Sequence, residues 1–347
     1  MREEGQAPAR SGIMGALGRL AERGFTPRNV RWLATITAIT MFLVYALGTL
    51  VTTTASGHGC GNSWPLCHGQ FIPSFAVHTA IEFTHRVATA LVTPLILLLA
   101  AGVLWLWRSR LEFRVLAPVM VVALFAEAGL GAALVLARSS ALLLAIHFGT
   151  SLVLFTSVLL IALMVNELGR SDALRDRPVP NGFRLLVFGL ALYTYVVGYL
   201  GAYMRLRGVE LACRQWPTCN QGSFFPTTSG AGIVFVHRVA AFLLLAGTLW
   251  LFLWARRLRR GRPDLYHGSL WALGLVITQA LVGAIVVFSM VAEYSQMLHA
   301  GLVALLFGTL SYVCLHTLRR PVQQKAAQPR AALDASATSA SASASSR

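Results

Sequence analysis

Eight apolar stretches of about 20 residues divide this sequence, and each can cross the ~30 Å hydrocarbon core of a bilayer as a helix. They cover approximately residues 32–52, 77–106, 115–136, 141–164, 183–204, 230–254, 268–291 and 294–317. Only 12% of the residues are charged, about half the fraction found in an ordinary soluble domain. The sequence therefore predicts an all-α, polytopic membrane protein with eight transmembrane helices.

The basic residues are concentrated in alternate connections between these stretches. A formal net charge of +16 would suit a nucleic-acid-binding protein, but its distribution does not. Six Arg lie in the segment up to Arg31, three at 108–114, four at 165–184, five at 256–262, and five Arg or Lys from Arg319 onward. The positive-inside rule then places both chain ends in the cytoplasm and the two cysteine-containing loops outside the cell membrane. Anionic lipid headgroups, rather than nucleic acid, are the predicted neighbours of these charges.

The two ends of the chain differ from the apolar region between them. Residues 1–31 contain acidic side chains and lack an apolar core, so they predict a cytoplasmic N-terminal segment rather than a cleavable signal peptide. Residues 318–347 end in a low-complexity Ala/Ser run, which predicts a disordered cytoplasmic tail.

The second half of the chain repeats the first at a constant spacing. An offset of 152 residues relates Trp64 to Trp216, Pro65 to Pro217, Cys67 to Cys219, His85 to His237, Arg86 to Arg238 and His147 to His299. In the first helix of each half, Tyr45 and Gly48 match Tyr195 and Gly198 at an offset of 150. We therefore predict two four-helix bundles, residues 32–164 and 183–317, joined by a cytoplasmic linker at 165–182. Four spans per half give both halves the same orientation, as in parallel repeats.

Four histidines lie inside predicted spans and follow the repeat. His85 and His147 belong to the first half, and His237 and His299 to the second. Each lies about 9–12 Å from the outer end of its helix at 1.5 Å per residue. Two imidazoles at similar depth on alternate helices of a bundle suit axial ligation of one haem iron per half.

Two other interpretations of these histidines remain. Intramembrane histidines also hydrogen-bond between helices without any ligand. Zinc fits less well, because two histidines per half leave no third or fourth protein ligand. The other five histidines have no partner at the repeat offset, and we expect solvated or interfacial positions for them: His58, His68, His78, His267 and His316.

An arginine follows one histidine of each half, and one half adds a carboxylate. Arg86 and Arg238 are either partners of haem propionates or side chains that reach toward lipid phosphate. Glu82 lies one turn before His85, on the same helix face, whereas the position 152 residues later is Val234. This asymmetry predicts a reacting site in the first half, with Glu82 as its proton-transfer group, and an electron-transfer haem in the second.

Two open points accompany that prediction. The alternative for Glu82 is a residue at the start of a helix that faces the lipid headgroups. Glu127, inside the third span, also needs a partner, and the sequence does not assign one.

The cysteines form one pair in each outer loop. Cys60 and Cys67 are seven residues apart, and Cys213 and Cys219 are six apart. These spacings do not match a four-cysteine zinc site, and outside the cytoplasm a disulfide within each loop is expected. Such a disulfide either staples the loop as a lid over the histidines or takes part in electron transfer, and the sequence does not separate these roles.

These motifs together resemble the haem A synthase family. The resemblance rests on VTTTASGHGCGNSWPLCHG (51–69), IEFTHR (81–86), AIHFGTS (145–151), CRQWPTC (213–219), VHR (236–238) and MLHAG (297–301). It covers nearly all of the eight-span region and leaves out both ends of the chain. Members of the family oxidise a methyl substituent of haem O to a formyl group, which gives haem A for cytochrome oxidase.

The resemblance implies a role for each motif residue. His85 and His147 would hold the substrate haem, with Glu82 as the catalytic carboxyl group. His237 and His299 would ligate a resident haem b, and Cys60 with Cys67 would be the pair tied to activity. The implied partners are haem O synthase, which supplies the substrate, and an electron-transfer partner that the sequence does not identify. Self-association through lipid-facing helices stays open.

Two other classes of function compete with this interpretation. A dihaem electron carrier linked to quinone would use the same four histidines, but it gives no reason for Glu82 in one half only. It also often places its haems near both membrane faces, whereas these histidines lie near one. A haem transporter would explain two haem sites but not an intramembrane carboxyl group beside one of them.

Overall fold

The computed structural model describes residues 24–318, apart from Phe75, Arg138, Ser139, Ser171, 220–225, Thr227 and Thr228. The predicted disordered tail, except Leu318, and most of the predicted N-terminal segment lie outside the described residues.

The described chain is all-helical, as predicted, and it contains eight helices long and apolar enough to cross a membrane. They are α1 (Pro27–Thr53), α2 (Val77–Trp107), α3 (Leu111–Leu136), α4 (Ala141–Asn166), α5 (Asn181–Leu206), α6 (Ser229–Leu258), α7 (Pro263–Phe288) and α8 (Glu293–Thr317). A four-residue helix, Asp172–Arg175, lies between α4 and α5. Within the described residues the only β-type pairing is one isolated bridge, between Cys67 and Gln70.

Several helices begin earlier than the apolar stretches that predicted them. α1 starts at Pro27, where the side chain of Thr26 accepts the Asn29 N–H at 3.2 Å. α7 starts at Pro263, five residues before the predicted span. Proline favours the first turn of a helix, and a Thr cap satisfies a free N–H group there. Hydropathy marks the part of a helix that suits lipid, whereas caps and prolines decide where the helix begins.

The core lies where helices of the two predicted halves meet. The most apolar segment of α4 is 67% buried and that of α8 is 44% buried, against 22–33% for the other six helices. Gly149 of α4 packs so closely on Tyr199 of α5 that it has no room for a Cβ atom. Gly301 of α8 lies close to Phe42 of α1, where a Cβ atom would be 3.3 Å from Cζ of the ring. Small residues of this kind allow close packing between helices in a membrane.

Contacts inside the two halves recur at a regular offset. The ring centroids of Phe42 and Phe155 are 5.6 Å apart, and those of Tyr195 and Phe307 are also 5.6 Å apart. Phe155 of α4 therefore corresponds to Phe307 of α8 at the offset of 152, whereas Phe42 of α1 corresponds to Tyr195 of α5 at an offset of 153. The offset of 150 inferred from Tyr45 and Gly48 is therefore about one helical turn from the spatial equivalence. The division into domains at 32–164 and 183–317 stays a prediction.

Ion pairs tie the linker to the helices at the end of the bundle opposite the cysteine loops. Arg110, just before α3, makes two hydrogen bonds to Asp172 at 2.9 and 2.6 Å, and these raise the pKa of Arg110 above its ordinary value. Arg175 pairs with Glu112 in the same region. Opposite charges in this geometry hold the linker against the start of α3.

His316 departs from the expectation for the unpaired histidines. Its side chain is 1% exposed, and its Nδ1 lies 3.0 Å from Asp264, which also binds Arg262 at 2.7 Å. Because α8 packs on the start of α7, the carboxylate of Asp264 reaches a histidine that the sequence places 52 residues away. The solvated position is therefore wrong for His316, and the interfacial position stays a prediction.

Candidate functional site

The four repeated histidines occupy matched positions on their helices. His85 and His237 are each the ninth residue of a helix, α2 and α6, and His147 and His299 are each the seventh, in α4 and α8. At 1.5 Å per residue, the rings lie ~9–12 Å from the helix starts. All four helices start at the end of the bundle that carries the cysteine loops, so the four rings lie at one end.

Each histidine ring packs against a glycine of the preceding helix. A Cβ atom on Gly48 of α1 would lie 3.1 Å from Cε1 of His85, and one on Gly201 of α5 would lie 3.0 Å from Cε1 of His237. The same holds for Gly131 with His147 at 3.7 Å and for Gly283 with His299 at 3.3 Å. Because glycine has no side chain, each imidazole can lie directly against the backbone of the neighbouring helix.

Within each half the two histidines approach each other. The imidazoles of His85 and His147 interact electrostatically, and so do those of His237 and His299. In all four rings Nδ1 is buried and makes no hydrogen bond, while the side chain as a whole is partly exposed. The accessible part of each ring therefore lies away from Nδ1, which leaves Nε2 available to a ligand.

Glu82 is buried beneath the first cysteine loop. It is 4% exposed, its Oε1 lies 2.5 Å from Arg86, and its Oε2 accepts the N–H of Cys60 at 2.9 Å. The alternative in which Glu82 faces the lipid headgroups is therefore wrong. Val234, at the corresponding place in the second half, is also buried and has no carboxylate to offer.

Both arginines bind backbone carbonyl groups of the cysteine loops. Nη1 of Arg86 donates to Ser63 and Leu66 at 2.8 Å. Arg238 donates to Gln215 and Thr218 at 2.6 Å and to Cys213 at 2.8 Å. The predicted role of these arginines as propionate partners stays a prediction, because Nη1 of Arg86 binds the loop while its Nε and Nη2 bind Glu82, and both Nη atoms of Arg238 bind the loop.

The cysteine pairs are both joined as disulfides. The Cα atoms of Cys60 and Cys67 are 4.6 Å apart, and those of Cys213 and Cys219 are 5.0 Å apart. All four cysteines are buried. Cys314 of α8 is a free, buried thiol.

The first disulfide loop is packed closely against the start of α2. Gly59 has no room for a Cβ atom, because the backbone of His78 lies there. The hydroxyl group of Thr79 donates to the carbonyl group of Gly59 at 2.7 Å, and Ser56 hydrogen-bonds His78 at 2.9 Å. These contacts place the loop over the end of the helix that carries Glu82 and His85.

Comparison with known proteins shows the family. Residues 73–311 match the model of the COX15-CtaA family, described as a cytochrome oxidase assembly protein. The chain belongs to the COX15-CtaA family.

Similar proteins match almost the whole length of this family member. A protein of Geobacillus kaustophilus named heme A synthase is 36% identical over 90% of this chain and 99% of its own. Heme A synthase of Symbiobacterium thermophilum is 40% identical over 80% of this chain and 92% of its own. Heme A synthase of Bacillus pumilus is 37% identical over 85% of this chain and 97% of its own.

The residues of this COX15-CtaA protein fit a haem in each half. Each site offers two neighbouring imidazoles on partly exposed histidines, and the glycine beside each ring lets it lie close to the backbone. Neutral imidazole nitrogens are common axial ligands of haem iron. The described residues contain no group of three or more His, Cys, Asp or Glu side chains placed to hold a metal ion by themselves.

Glu127 is the polar residue that the sequence did not place in the site. Its Oε1 lies 3.3 Å from Nδ1 of His147, and Ser151 of α4 lies near its carboxylate. The sequence carries one signal of this role, because the position 152 residues later is Gln279, another polar residue inside a span. Only the packing of α3 on α4 shows that Glu127 lies beside His147, which is 20 residues away in the sequence.

Proposed function

We propose that this chain is a haem A synthase, an oxidoreductase that converts a methyl substituent of haem O to a formyl group. Membership of the COX15-CtaA family and the heme A synthases that align over most of the chain support this proposal. The observation that carries it is an asymmetry between two otherwise matched sites. Both halves hold a facing pair of histidines, but only the first adds the buried carboxylate of Glu82.

In the proposed site of the first half, His85 and His147 hold haem O as the substrate. Glu82 lies three residues before His85 and is therefore on the same face of α2. A buried carboxylate held by Arg86 and by the Cys60 N–H is fixed in place, which suits it to exchange a proton with the substrate. The disulfide loop above the site limits the access of water.

In the second half, His237 and His299 hold the cofactor. A haem b bound there supplies one-electron redox chemistry. Val234 gives this half no carboxylate at the position of Glu82, so the residues bind and orient the group without a proton donor beside it.

The proposed location follows from the distribution of charge. The protein spans the cell membrane with both ends in the cytoplasm, and the disulfide loops and all four histidines lie at the outer side. Haem O synthase would deliver the substrate, and an electron-transfer partner would accept the electrons.

The test expresses the chain in cells that make haem O but not haem A, followed by extraction and chromatography of the non-covalent haems. We expect haem A from the wild type and none from Glu82→Gln, which removes the charge but keeps the size. Glu293→Gln is the control, because Glu293 is an exposed carboxylate at the start of α8. Recovery of haem B and haem O alone from the wild type, in a host with electron partners, would favour the dihaem carrier.

A further inference from the structure

The surroundings of His147 differ from those of the other three histidines. A backbone acceptor approaches the ring in each of the others, from Val44 for His85, Val197 for His237 and Gln279 for His299. For His147, the structure identifies a side-chain acceptor instead: Oε1 of Glu127 lies 3.3 Å from Nδ1. One histidine of the four thus faces a carboxylate.

Glu127 belongs to a polar cluster of the first half. Ser151, one turn after His147 on α4, lies near its carboxylate, and the hydroxyl group of Tyr45 on α1 interacts with it electrostatically. Three buried atoms in this cluster lack a hydrogen-bond partner: the Tyr45 hydroxyl oxygen, Oε2 of Glu127 and Nδ1 of His147. Buried polar atoms without partners call for an explanation, because leaving them unsatisfied costs free energy.

The second half replaces this cluster with residues that carry no negative charge. At the spatial offsets of 153 for α1 and 152 for α3 and α4, the equivalents are Gly198, Gln279 and Val303. Gly198 and Val303 contact each other there, with 3.7 Å between a Cβ atom on Gly198 and Cγ2 of Val303. The asymmetry between the halves therefore extends beyond Glu82 to a second carboxylate, which lies beside His147.

We propose that Glu127 is a positioning residue whose carboxylate accepts the Nδ1–H of His147 and so directs Nε2 of that ring toward the substrate haem. The proposal rests on the proposed function, which makes His147 a ligand of haem O. A ligating histidine commonly donates its second N–H to a carboxylate or carbonyl group, which fixes its tautomer and orientation and increases its strength as a ligand. The two atoms that this hydrogen bond would join lie 3.3 Å apart.

The consequence is an electronic difference between the two haems. A carboxylate on the far nitrogen of an axial histidine increases the electron density at the iron, which favours the ferric state. Gln279 is neutral and places no anionic group on His299. We therefore expect the haem held in the first half to have a lower midpoint potential than the haem held in the second.

The experiment uses the full-length protein purified from cells that make haem B and haem O. The bound haems are followed by redox potentiometry and by electron paramagnetic resonance of their ferric low-spin signals. His147→Ala identifies the signal of the first half as the one that it removes. We expect Glu127→Gln to raise the midpoint potential of that haem, to move its resonance, and to weaken haem O binding by about 10–100-fold.

Two further variants make the outcome specific. Gln279→Glu, the matched change in the other half, must leave the signal of the first half unchanged. Glu127→Asp keeps the charge on a shorter side chain and should move the same signal less. This variant replaces Glu127→Gln in the test if Glu127→Gln does not fold.

The proposal for Glu127 and the proposed function fail in different ways. If His147→Ala removes one signal but neither Glu127 variant alters it, the positioning role is overturned and the ligand assignment stands. If His147→Ala leaves both haem signals intact, the assignment of His147 as a ligand is overturned, and the role of Glu127 with it.

Discussion

At the scale of single residues, glycine decides where the histidine rings lie. Each ring rests on a glycine of the helix before it, and Gly48 and Gly201 are the two with the least room. A larger side chain at these places must displace an imidazole, because the opposing atoms belong to the histidine ring itself.

We therefore expect Gly201→Val to lower the haem content of the second half, since it pushes the His237 ring out of place. Gly189→Val on the same helix is the control, because no atom lies within 4 Å of the position of its Cβ. The measurement is the ratio of haem to protein after purification, with extraction to identify the haem. Equal haem content in the two variants would contradict this role of Gly201.

Glu82 also has a structural role that does not depend on the proposed chemistry. It accepts the Cys60 N–H and binds Arg86, which in turn binds the loop carbonyl groups of Ser63 and Leu66. Loss of this carboxylate leaves a buried donor without an acceptor, at a free energy of about 1–3 kcal/mol.

We expect Glu82→Val, which introduces the residue of the second half, to loosen the first disulfide loop. A phosphine reductant should then reduce Cys60–Cys67 faster in the folded protein, and mass spectrometry after alkylation measures the rate for each pair. Cys213–Cys219 in the same molecule is the internal control, and an equal increase at both disulfides would argue against local anchoring by Glu82.

At the scale of helices, α4 and α8 hold the molecule together. They are more buried than the other six helices, and Gly149 and Gly301 allow them to contact Tyr199 and Phe42 of the opposite half. Lipid gives no hydrophobic driving force for helix association, so close packing of this kind carries the stability.

We expect Gly149→Ala to destabilise the protein by about 1–3 kcal/mol, because the added methyl group overlaps the ring of Tyr199. Gly129→Ala on α3, where nothing lies within 4 Å, should be nearly neutral. Thermal unfolding in detergent compares the two variants, and equal midpoints would mean that the interface adapts to the extra atom.

At the scale of the whole molecule, the linker between the two halves and the disulfide loops occupy opposite ends of the bundle. The linker with Arg110 and Asp172 marks one end, and the loops that cover α2 and α6 mark the other. The proposed orientation places the linker in the cytoplasm.

Labelling of intact cells with a membrane-impermeant maleimide tests this orientation. We expect Phe71→Cys, at an exposed position of the first loop, to react in intact cells. Ala173→Cys, at an exposed position of the linker, should react only after the membrane is permeabilised. The reverse pattern would invert the proposed topology.

The sequence by itself determined the number of spans, the helical class and the repeated residues of the candidate site. These depend on composition and spacing along one chain, since a run of about 20 apolar residues suits a bilayer wherever it packs. It likewise predicted both disulfides, because the two cysteines of each pair belong to one short loop.

Only the tertiary structure decided which side chains meet. The contacts of Glu127 with His147, of His316 with Asp264, and of the glycines with the histidine rings join different helices. Such contacts depend on the rotation and relative depth of packed helices, and a shift of one turn replaces every partner. That is why sequence matching placed α1 and α5 at an offset of 150, whereas packing relates them at 153.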